Sequence, residues 1–308
     1  MFAGWHGHAP FPHTHLMTSA IHRARHRFAV AALVAAIGGG DALAAQRAPQ
    51  YGPASGTLLI VGGGNLDGSG ILEKFIALAG GPSADIVIVP TAGGNRDRQG
   101  NIVVYNPDSV LAPWRKLGLT NVHMLHTADP KEADTDVFAS PLKRARAVWF
   151  NGGRQWNIVD SYANTKTYTA FHAVLARGGV IGGSSAGATI QGDYLVRGAI
   201  AGPDVMMSPE PEHQQAFRFL RHVAIDQHIN TRNRWLDLQQ IMAVKPGLLG
   251  IGLSEATAIV VHGDQFEVMG KARVAIHDPT HPQPSGNTPY LTLQAGDHYD
   301  MKARQVLK

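Results

Sequence analysis

The stretch that decides the fold is an apolar segment followed at once by small residues, and it reads Val180-Ile181-Gly182-Gly183-Ser184-Ser185-Ala186-Gly187-Ala188. Within it, Gly183-x-Ser185-x-Gly187 has the pattern of a nucleophile elbow, a tight turn between a strand and a helix. Glycine at the two outer positions leaves room for the strained serine, because a larger side chain there would collide with the turn. The alternative is an ordinary loop rich in glycine and serine, since short matches of this kind also occur by chance.

If the elbow forms, the hydroxyl of Ser185 is exposed at the N-terminus of a helix. The backbone amide of Ala186 then lies beside that hydroxyl, where a negatively charged oxygen develops during acyl transfer. The stretch therefore predicts a serine nucleophile with an oxyanion-binding amide next to it.

Composition narrows the chemistry that is available. The chain has 308 residues, of which 44% are hydrophobic and 16% charged, which suits a globular protein with a large core. It has no cysteine, so a disulfide framework, a thiolate nucleophile and a thiolate metal site are excluded. The net charge of +4 partly reflects arginines within the first 30 residues, so it does not indicate a nucleic-acid partner.

The N-terminal region has the pattern of a secretory signal peptide between residues 17 and 45. Three arginines precede an apolar run that is too short to span a bilayer, and Ala42-Leu43-Ala44 offers a cleavage site. We therefore expect residues 1–44 to be a leader and 45–308 a single domain that is secreted or periplasmic, with no membrane contact after cleavage. Met17 is a candidate true start, and we interpret the His- and Pro-rich residues before it as an unstructured or wrongly included leader rather than a metal site.

Strand and helix patterns alternate over the first two thirds of the domain. Strands are predicted at 57–61, 84–89, 122–125, 145–150 and 180–181, with helices at 71–79, 109–117 and 156–176. This order predicts an α/β fold with a doubly wound, mostly parallel sheet and helices on both faces, whose sites lie at the carboxyl ends of its strands. Beyond the elbow, a helical stretch at 213–220, an amphipathic segment at 232–244 and a strand at 250–261 lead into a β-rich C-terminal part with strands at 265–268, 273–276 and 290–293.

Two glycine-rich loops follow predicted strands. Residues 62–68 lack the spacing of a dinucleotide-binding loop, since Asp67 stands where the third glycine belongs, and no phosphate loop follows. Residues 151–155 follow the strand that ends at Phe150, and the glycine amides of this loop could face the same crevice as the elbow. We predict no metal and no organic cofactor.

A serine nucleophile needs a base and a third group that orients the base. Two polar positions stand out beside apolar runs. His228 follows Val223-Ala224-Ile225 in a polar cluster, and Glu255 is a lone acid in an apolar segment. Each could instead be a hydrogen-bonded structural residue, since isolated buried polar side chains usually are.

Together these motifs resemble cyanophycinases and the wider family of serine peptidases that includes aspartyl dipeptidase. The matching blocks occur in the family's order over about residues 57–262, and they are Phe150–Gln155, Gly183–Ala188, Asp226–His228 with Arg232 and Arg234, and Gly250–Ala258. The resemblance implies a fold like that of class I glutamine amidotransferase domains, with serine in place of cysteine, and it implies a homodimer.

The resemblance also implies roles for individual residues. Ser185 is expected to be the nucleophile, His228 the general base and acid, and Glu255 the carboxylate that orients His228. The amides of Ala186 and Gly153 are the implied oxyanion donors. The implied substrate-binding residues are Gln155, Asp226, Gln227, Arg232 and Arg234, although both arginines could instead be solvated residues at a helix start, and Asp226 could merely cap that region.

One position departs from the family's pattern. Asp237 stands where cyanophycinases tend to have a further arginine, so either one carboxylate contact is missing or Asp237 neutralises Arg234, three residues before it. The expected function is an exported serine peptidase that hydrolyses β-aspartyl bonds, most simply those of cyanophycin, to give β-aspartyl-arginine. The alternatives are a related peptidase acting on small aspartyl or isoaspartyl peptides and a catalytically silent secreted binding protein with the same fold.

Overall fold

Five apolar runs form the parallel strands at the centre of the protein. We describe residues 50–97, 99–281 and 288–307 of a computed structural model; the expected leader lies outside these residues. The strands are β1 (Thr57–Val61), β2 (Ile86–Val89), β3 (Val122–Met124), β4 (Ala147–Phe150) and β5 (Val180–Ser184). All five are mutually parallel, in the order β1-β5-β4-β2-β3. Strands β1, β2 and β4 are buried along their whole length because both faces of the sheet are covered there, whereas the edge strand β3 is only partly buried.

The later part of the described chain adds eight strands, mostly antiparallel. These are β6 (Val223–Gln227), β7 (Leu249–Leu253), β8 (Thr257–His262), β9 (Gln265–Gly270), β10 (Arg273–His277), β11 (Leu291–Gln294), β12 (His298–Asp300) and β13 (Gln305–Leu307). Strand β8 pairs antiparallel with β1 and extends the central sheet to nine strands in the order β13-β12-β9-β8-β1-β5-β4-β2-β3. A second sheet has the order β11-β10-β7-β6, in which only β6 and β7 are parallel.

Helices pack against both sheets. They are α1 (Ile71–Ala79), α2 (Pro107–Lys116), α3 (Pro130–Ala133), α4 (Gln155–Tyr162), α5 (Lys166–Ala176), α6 (Ala186–Thr189) and α7 (Leu238–Val244), with 3-10 turns at Thr91–Gly93, Ser140–Lys143 and Pro211–Gln214. Successive side chains of β1 point to opposite faces: Leu58 and Ile60 join one buried cluster, whereas Leu59 and Val61 join another. The predicted α/β class, with a mostly parallel central sheet and a β-rich C-terminal part, is confirmed. None of the helices described here is long and apolar enough to cross a membrane.

Two predicted helices are wrong in their extent. The single helix expected over 156–176 is two helices, because Asn164 adopts a left-handed φ of 60° and the Thr165 side chain caps the second helix by accepting from the Tyr168 amide. The helix expected over 213–220 is only the 3-10 turn Pro211–Gln214. The residues after it bond as extended chain to the segment behind the elbow, as the Ala216 amide does to the Asp193 carbonyl at 2.9 Å.

The predicted strand over 250–261 is also wrong, because it is two strands in different sheets. Strand β7 ends at Leu253 and β8 begins at Thr257. Between them the chain turns through Ser254-Glu255-Ala256, with Ala256 at a left-handed φ of 53°. Glu255 therefore lies on the turn that joins the two sheets and not within a strand, which explains how an acid follows such an apolar run.

Candidate active site

The carboxyl ends of three neighbouring strands meet where the elbow turns. Val61 at the end of β1 is in register with Ser184 at the end of β5, and Phe150 at the end of β4 is in register with Gly183. Loops that leave these ends therefore surround Ser185, as expected for sites in open parallel sheets.

Ser185 sits on a strained turn between β5 and α6. Its backbone has φ 58° and ψ −113°, a combination that residues other than glycine rarely adopt. A Cβ on Gly183 would lie 2.3 Å from the Gly187 carbonyl oxygen, and one on Gly187 would lie 2.0 Å from the Phe150 carbonyl oxygen. The elbow therefore requires glycine at both flanking positions, for the steric reason that the sequence indicated.

His228 follows β6 directly and faces Ser185. Its Nε2 lies 2.8 Å from the Oγ of Ser185, its backbone has φ 57°, and its amide donates to the Gly62 carbonyl at 2.9 Å. The loop after β1 also leaves space for the ring, because a Cβ on Gly63 would lie 2.2 Å from the Cε1 of His228. Gly62 and Gly63 thus hold the histidine in place, and Gly64 lies against Glu255, a role of this loop that sequence reasoning missed.

Glu255 completes a hydrogen-bonded chain to the serine. Its Oε1 lies 2.5 Å from the Nδ1 of His228 and accepts from the Thr231 hydroxyl at 2.9 Å. The Asn230 side chain accepts from the Glu255 amide at 2.9 Å. With its proton on Nδ1, His228 can accept the proton of Ser185 at Nε2, which is the arrangement of a serine hydrolase. Thr231 and Asn230 were not predicted, although they lie just after His228 in the sequence.

Burial, nearby charges and hydrogen bonds set the protonation of the His228 and Glu255 side chains. Desolvation lowers the pKa of His228 below its usual range, and the positive charges of Arg232 and Arg234 act in the same direction, whereas the Glu255 carboxylate opposes them. Burial acts to raise the pKa of Glu255, but hydrogen bonds from His228 and Thr231 outweigh it and hold that pKa below its usual range. Near neutral pH the site therefore holds a neutral imidazole beside an ionised carboxylate, as a general base requires.

The two predicted oxyanion donors belong to segments that pass close to the serine. Ala186 is the first residue of α6, directly after Ser185. On the other side, a Cβ on Gly152 would lie 3.7 Å from the Oγ of Ser185, so the 151–155 loop passes close to the hydroxyl. That loop is fixed on both sides of Gly153, because the amide of Asn151 donates to the Val89 carbonyl at 3.0 Å and that of Arg154 to the Ala92 carbonyl at 2.6 Å.

Gln155 is buried behind the oxyanion loop. Its Nε2 donates to the carbonyls of Val196 at 2.6 Å and Arg197 at 2.8 Å, so its amide nitrogen holds the segment that follows the elbow helix. This arrangement joins Gln155 to that segment, and a direct contact of its side chain with substrate stays a prediction.

Asp226 is completely buried two residues before His228. Both of its carboxylate oxygens accept from Arg197, each at 2.9 Å, and one also accepts from the Gln227 amide at 2.9 Å. The next residue, Gln227, is buried, and its Oε1 is among the buried polar atoms that have no hydrogen-bond partner within the residues described here. Arg197 was not predicted from the sequence.

The two predicted arginines differ in their surroundings. Arg232 is exposed, whereas Arg234 is only 5% exposed. Burial and the nearby charge of Arg197 lower the pKa of Arg234, although Asp226 acts against this. The only hydrogen bond found for its guanidinium within the described chain goes from Nη1 to the Gln227 carbonyl at 3.4 Å.

Asp237 does not form the expected ion pair with Arg234. Its Oδ2 accepts instead from Nη2 of Arg197 at 2.5 Å, and the nearest carboxylate oxygen found for Arg234 belongs to Asp226, 4.0 Å from Nη1. The (i, i+3) spacing suggested a helical pair, but Arg234 lies before α7, so the two side chains do not share a helix face.

Within the described ranges, no group of three or more potential metal-ligating side chains is close enough to hold a metal ion. What the site provides is one hydroxyl on a strained turn, a neutral base and an oriented carboxylate. With the sheet around it, this arrangement defines a serine hydrolase with an α/β fold.

The comparisons with known proteins identify the family. A sequence profile of Peptidase family S51 matches residues 58–269, which is more than half of the chain, and the chain belongs to this family of serine-type peptidases. It is similar to the cyanophycinase of Geminocystis herdmanii, with 27% identity over 82% of this chain and 96% of the relative. It is also similar to the cyanophycinase of Trichormus variabilis, with 28% identity over 81% and 87% of the two chains.

Solved structures agree with the fold. The crystal structure of a peptidase from an acI-B1 Actinobacterium superposes with a TM-score of 0.59 and 22% sequence identity, covering 80% of this chain and 97% of that one. At this identity the likeness supports the fold alone. The roles assigned above to individual residues stay predictions, which the geometry now makes specific.

Proposed function

We propose that this chain is an exported serine peptidase that hydrolyses cyanophycin between its β-aspartyl-arginine units and releases β-aspartyl-arginine. The observation that carries the proposal is the hydrogen-bonded chain from Ser185 through His228 to Glu255. The buried guanidinium of Arg234 lies beside it, with Nη1 3.4 Å from the carbonyl of Gln227, the residue before His228. The relatives that share most of the chain's length are cyanophycinases.

The chemistry follows from the geometry. Release of an intact β-aspartyl-arginine unit requires cleavage of the backbone amide that joins one aspartate to the next, because the β-linkage stays in the product. Ser185 attacks the carbonyl carbon of that backbone amide while Nε2 of His228 takes its proton, and Glu255 stabilises the imidazolium through Nδ1. The amides of Ala186 and Gly153 bind the oxygen of the tetrahedral intermediate. His228 then donates the proton to the leaving amine, and a water molecule, deprotonated by the same imidazole, hydrolyses the acyl-enzyme.

Substrate charge fits the arginines beside the site. A polyaspartate backbone that carries arginine on its side-chain carboxyls presents free carboxylates as well as cations. Guanidinium groups bind carboxylates through paired hydrogen bonds, so Arg234, and the exposed Arg232, are suited to the free carboxylates. This match favours a β-aspartyl substrate over an uncharged peptide.

The products of digestion test the proposal. Incubation of the purified protein with insoluble cyanophycin, followed by mass spectrometry, is expected to show β-aspartyl-arginine, and Ser185→Ala should release none. An α-linked peptide that contains aspartate and arginine is the matched substrate control. Equal cleavage of that peptide, or no soluble product from cyanophycin, would overturn the proposed specificity.

A peptidase for small aspartyl or isoaspartyl peptides is the second candidate. It is favoured by Asp237, which places a carboxylate where cyanophycinases tend to have a further arginine. Comparison of kcat/KM for the polymer and for β-aspartyl dipeptides separates the two, since a dipeptidase would favour the short substrate.

Export and assembly complete the proposal. The sequence over residues 17–45 has the pattern of a signal peptide, so the mature protein is expected to begin near Ala45 and to be secreted or periplasmic. N-terminal sequencing of exported material tests this, and a soluble cytoplasmic enzyme that retains residues 28–36 would overturn it.

The homodimer implied by the family resemblance is tested by the solution molecular mass.

A further inference from the structure

Arg197 is a buried arginine that lies outside the predicted site yet joins several of its residues. Its side chain is only 3% exposed, and its backbone has a left-handed φ of 57°. Such a conformation is unfavourable for a residue with a side chain and persists where the surrounding contacts fix it. Arg197 lies outside the four sequence blocks that resemble cyanophycinases.

The guanidinium of Arg197 binds two carboxylates at once. Nε and Nη2 each donate to Asp226 at 2.9 Å, and Nη2 also donates to Asp237 at 2.5 Å. Nη1 donates to the Pro203 carbonyl at 2.6 Å. Asp226 has no exposed surface, so its negative charge depends on Arg197 for compensation.

Arg234 is a second buried arginine, and within the described residues its guanidinium has no carboxylate at hydrogen-bond distance. Its Nη1 lies 4.0 Å from Oδ1 of Asp226, beyond hydrogen-bond distance, and Asp237 is bonded to Arg197 instead. A cation that is 95% buried without a bonded carboxylate is unfavourable in the empty protein. It is well suited to receive a carboxylate from a ligand.

We propose that Arg197 is a positioning residue for substrate binding: by holding Asp226 and Asp237, it keeps the guanidinium of Arg234 free for a carboxylate of the substrate. This inference rests on the proposed function. Without the charge of Arg197, the buried Asp226 would need another cation, and Arg234 is the nearest one. Arg234 would then bind Asp226 internally and lose affinity for the substrate carboxylate.

A merely structural role for Arg197 predicts something different, so paired variants separate the two. Arg197→Gln leaves Asp226 uncompensated and is expected to weaken binding of β-aspartyl-arginine about tenfold or more. Adding Asp226→Asn removes the fully buried one of the two carboxylates that Arg197 holds, and should restore a large part of that affinity. If Arg197 only supports the fold, the double variant binds no better than the single one.

Binding is measured by calorimetry in the full-length Ser185→Ala protein, so that turnover plays no part. Arg304→Gln is the matched control, because Arg304 is also an arginine at a left-handed φ of 56°, its side chain is only 9% exposed, and it pairs with Asp278 and not with Asp226 or Asp237. Its affinity for the dipeptide should equal that of the parent. Arg197→Lys, which keeps the charge, should bind within about threefold of the parent and provides a second variant if Arg197→Gln does not fold.

A crystal structure of Arg197→Gln gives a readout that does not depend on the substrate. The inference expects Arg234 to form a direct ion pair with Asp226, closing the present 4.0 Å separation. An unchanged separation, or a double variant that binds no better than Arg197→Gln, would overturn the inference even if the enzyme cleaves cyanophycin. Failure of the parent to cleave cyanophycin would instead overturn the proposed function, and the crystal structure would still decide the role of Arg197.

Discussion

The hydroxyl of Thr231 donates to Oε1 of Glu255, the same oxygen that lies 2.5 Å from Nδ1 of His228. One carboxylate oxygen therefore receives two hydrogen bonds, one from the base it orients and one from a residue that was not predicted to belong to the site. This second bond limits how the carboxylate can rotate, and with it the position of the imidazole.

Loss of that bond should slow the reaction without unfolding the protein. Thr231→Val keeps the shape of the side chain but removes the donor, and we expect kcat to fall about fivefold, which corresponds to a loss of about 1 kcal/mol. Thr231→Ser keeps the hydroxyl and is the matched control. Equal rates for Thr231→Val and the parent would mean that Thr231 does not orient Glu255.

The acid limb of the reaction should lie below pH 6.5 and depend on Arg232. The base works only when His228 is neutral, and burial together with the charge of Arg232 lowers the pKa of His228 below its usual value of 6.5. Arg232→Gln removes a positive charge, so that pKa should rise and the acid limb should move to higher pH. The rate at which a fluorophosphonate labels Ser185, measured as a function of pH, reports the pKa of His228. The probe carries no carboxylate for Arg232 to bind, so an effect on substrate binding does not enter the measurement.

Arg144→Gln is the control for this experiment, since Arg144 is an exposed arginine that pairs with Asp85. Its acid limb should match that of the parent. An acid limb that is unchanged in Arg232→Gln, or that moves to lower pH, would contradict the electrostatic account of His228.

Much of this architecture could be predicted from the sequence, because its signals are local. Apolar runs that alternate with helical patterns predict the parallel strands, and the spacing of Gly183, Ser185 and Gly187 predicts the elbow. The sequence did not predict Arg197 or the fit of His228 against Gly63, because both depend on contacts between segments that are distant along the chain. The sequence does single out Glu255 as an acid in an apolar segment. It predicts one strand over residues 250–261, however, because the apolar pattern continues through the turn that joins the two sheets.

Acid should destabilise the protein partly through His277. Burial lowers the pKa of this histidine to about 4 in the folded protein, whereas an unfolded histidine titrates near 6.5. The unfolded chain therefore binds the extra proton first, so stability rises with pH between about 4 and 6.5 and is lost as the pH falls through this window. The difference is up to about 3 kcal/mol.

Urea unfolding at pH 4.5 and pH 7.5 measures this contribution. His277→Gln should show a smaller difference in unfolding free energy between the two pH values than the parent, and His298→Gln, which replaces an exposed histidine, should show the parent's difference. The account of His277 is wrong if both variants keep the full pH dependence.

Variants of the hydrogen-bonded chain should separate catalysis from folding. Ser185→Ala and His228→Ala are expected to lower kcat on the order of 10³-fold or more, and Glu255→Gln by a smaller factor, because the three groups act as a unit. Unfolding midpoints close to that of the parent would show that the loss is chemical. Full activity in Ser185→Ala would contradict the assignment of the nucleophile.

The most direct test of the central claim is the site at which a fluorophosphonate reacts. Mass spectrometry of peptides from the labelled protein should place a single adduct on Ser185, because its hydroxyl lies on a strained elbow, 2.8 Å from a neutral imidazole nitrogen. His228→Ala should prevent the labelling. Labelling of another residue, or none at all in the folded parent protein, would contradict the account.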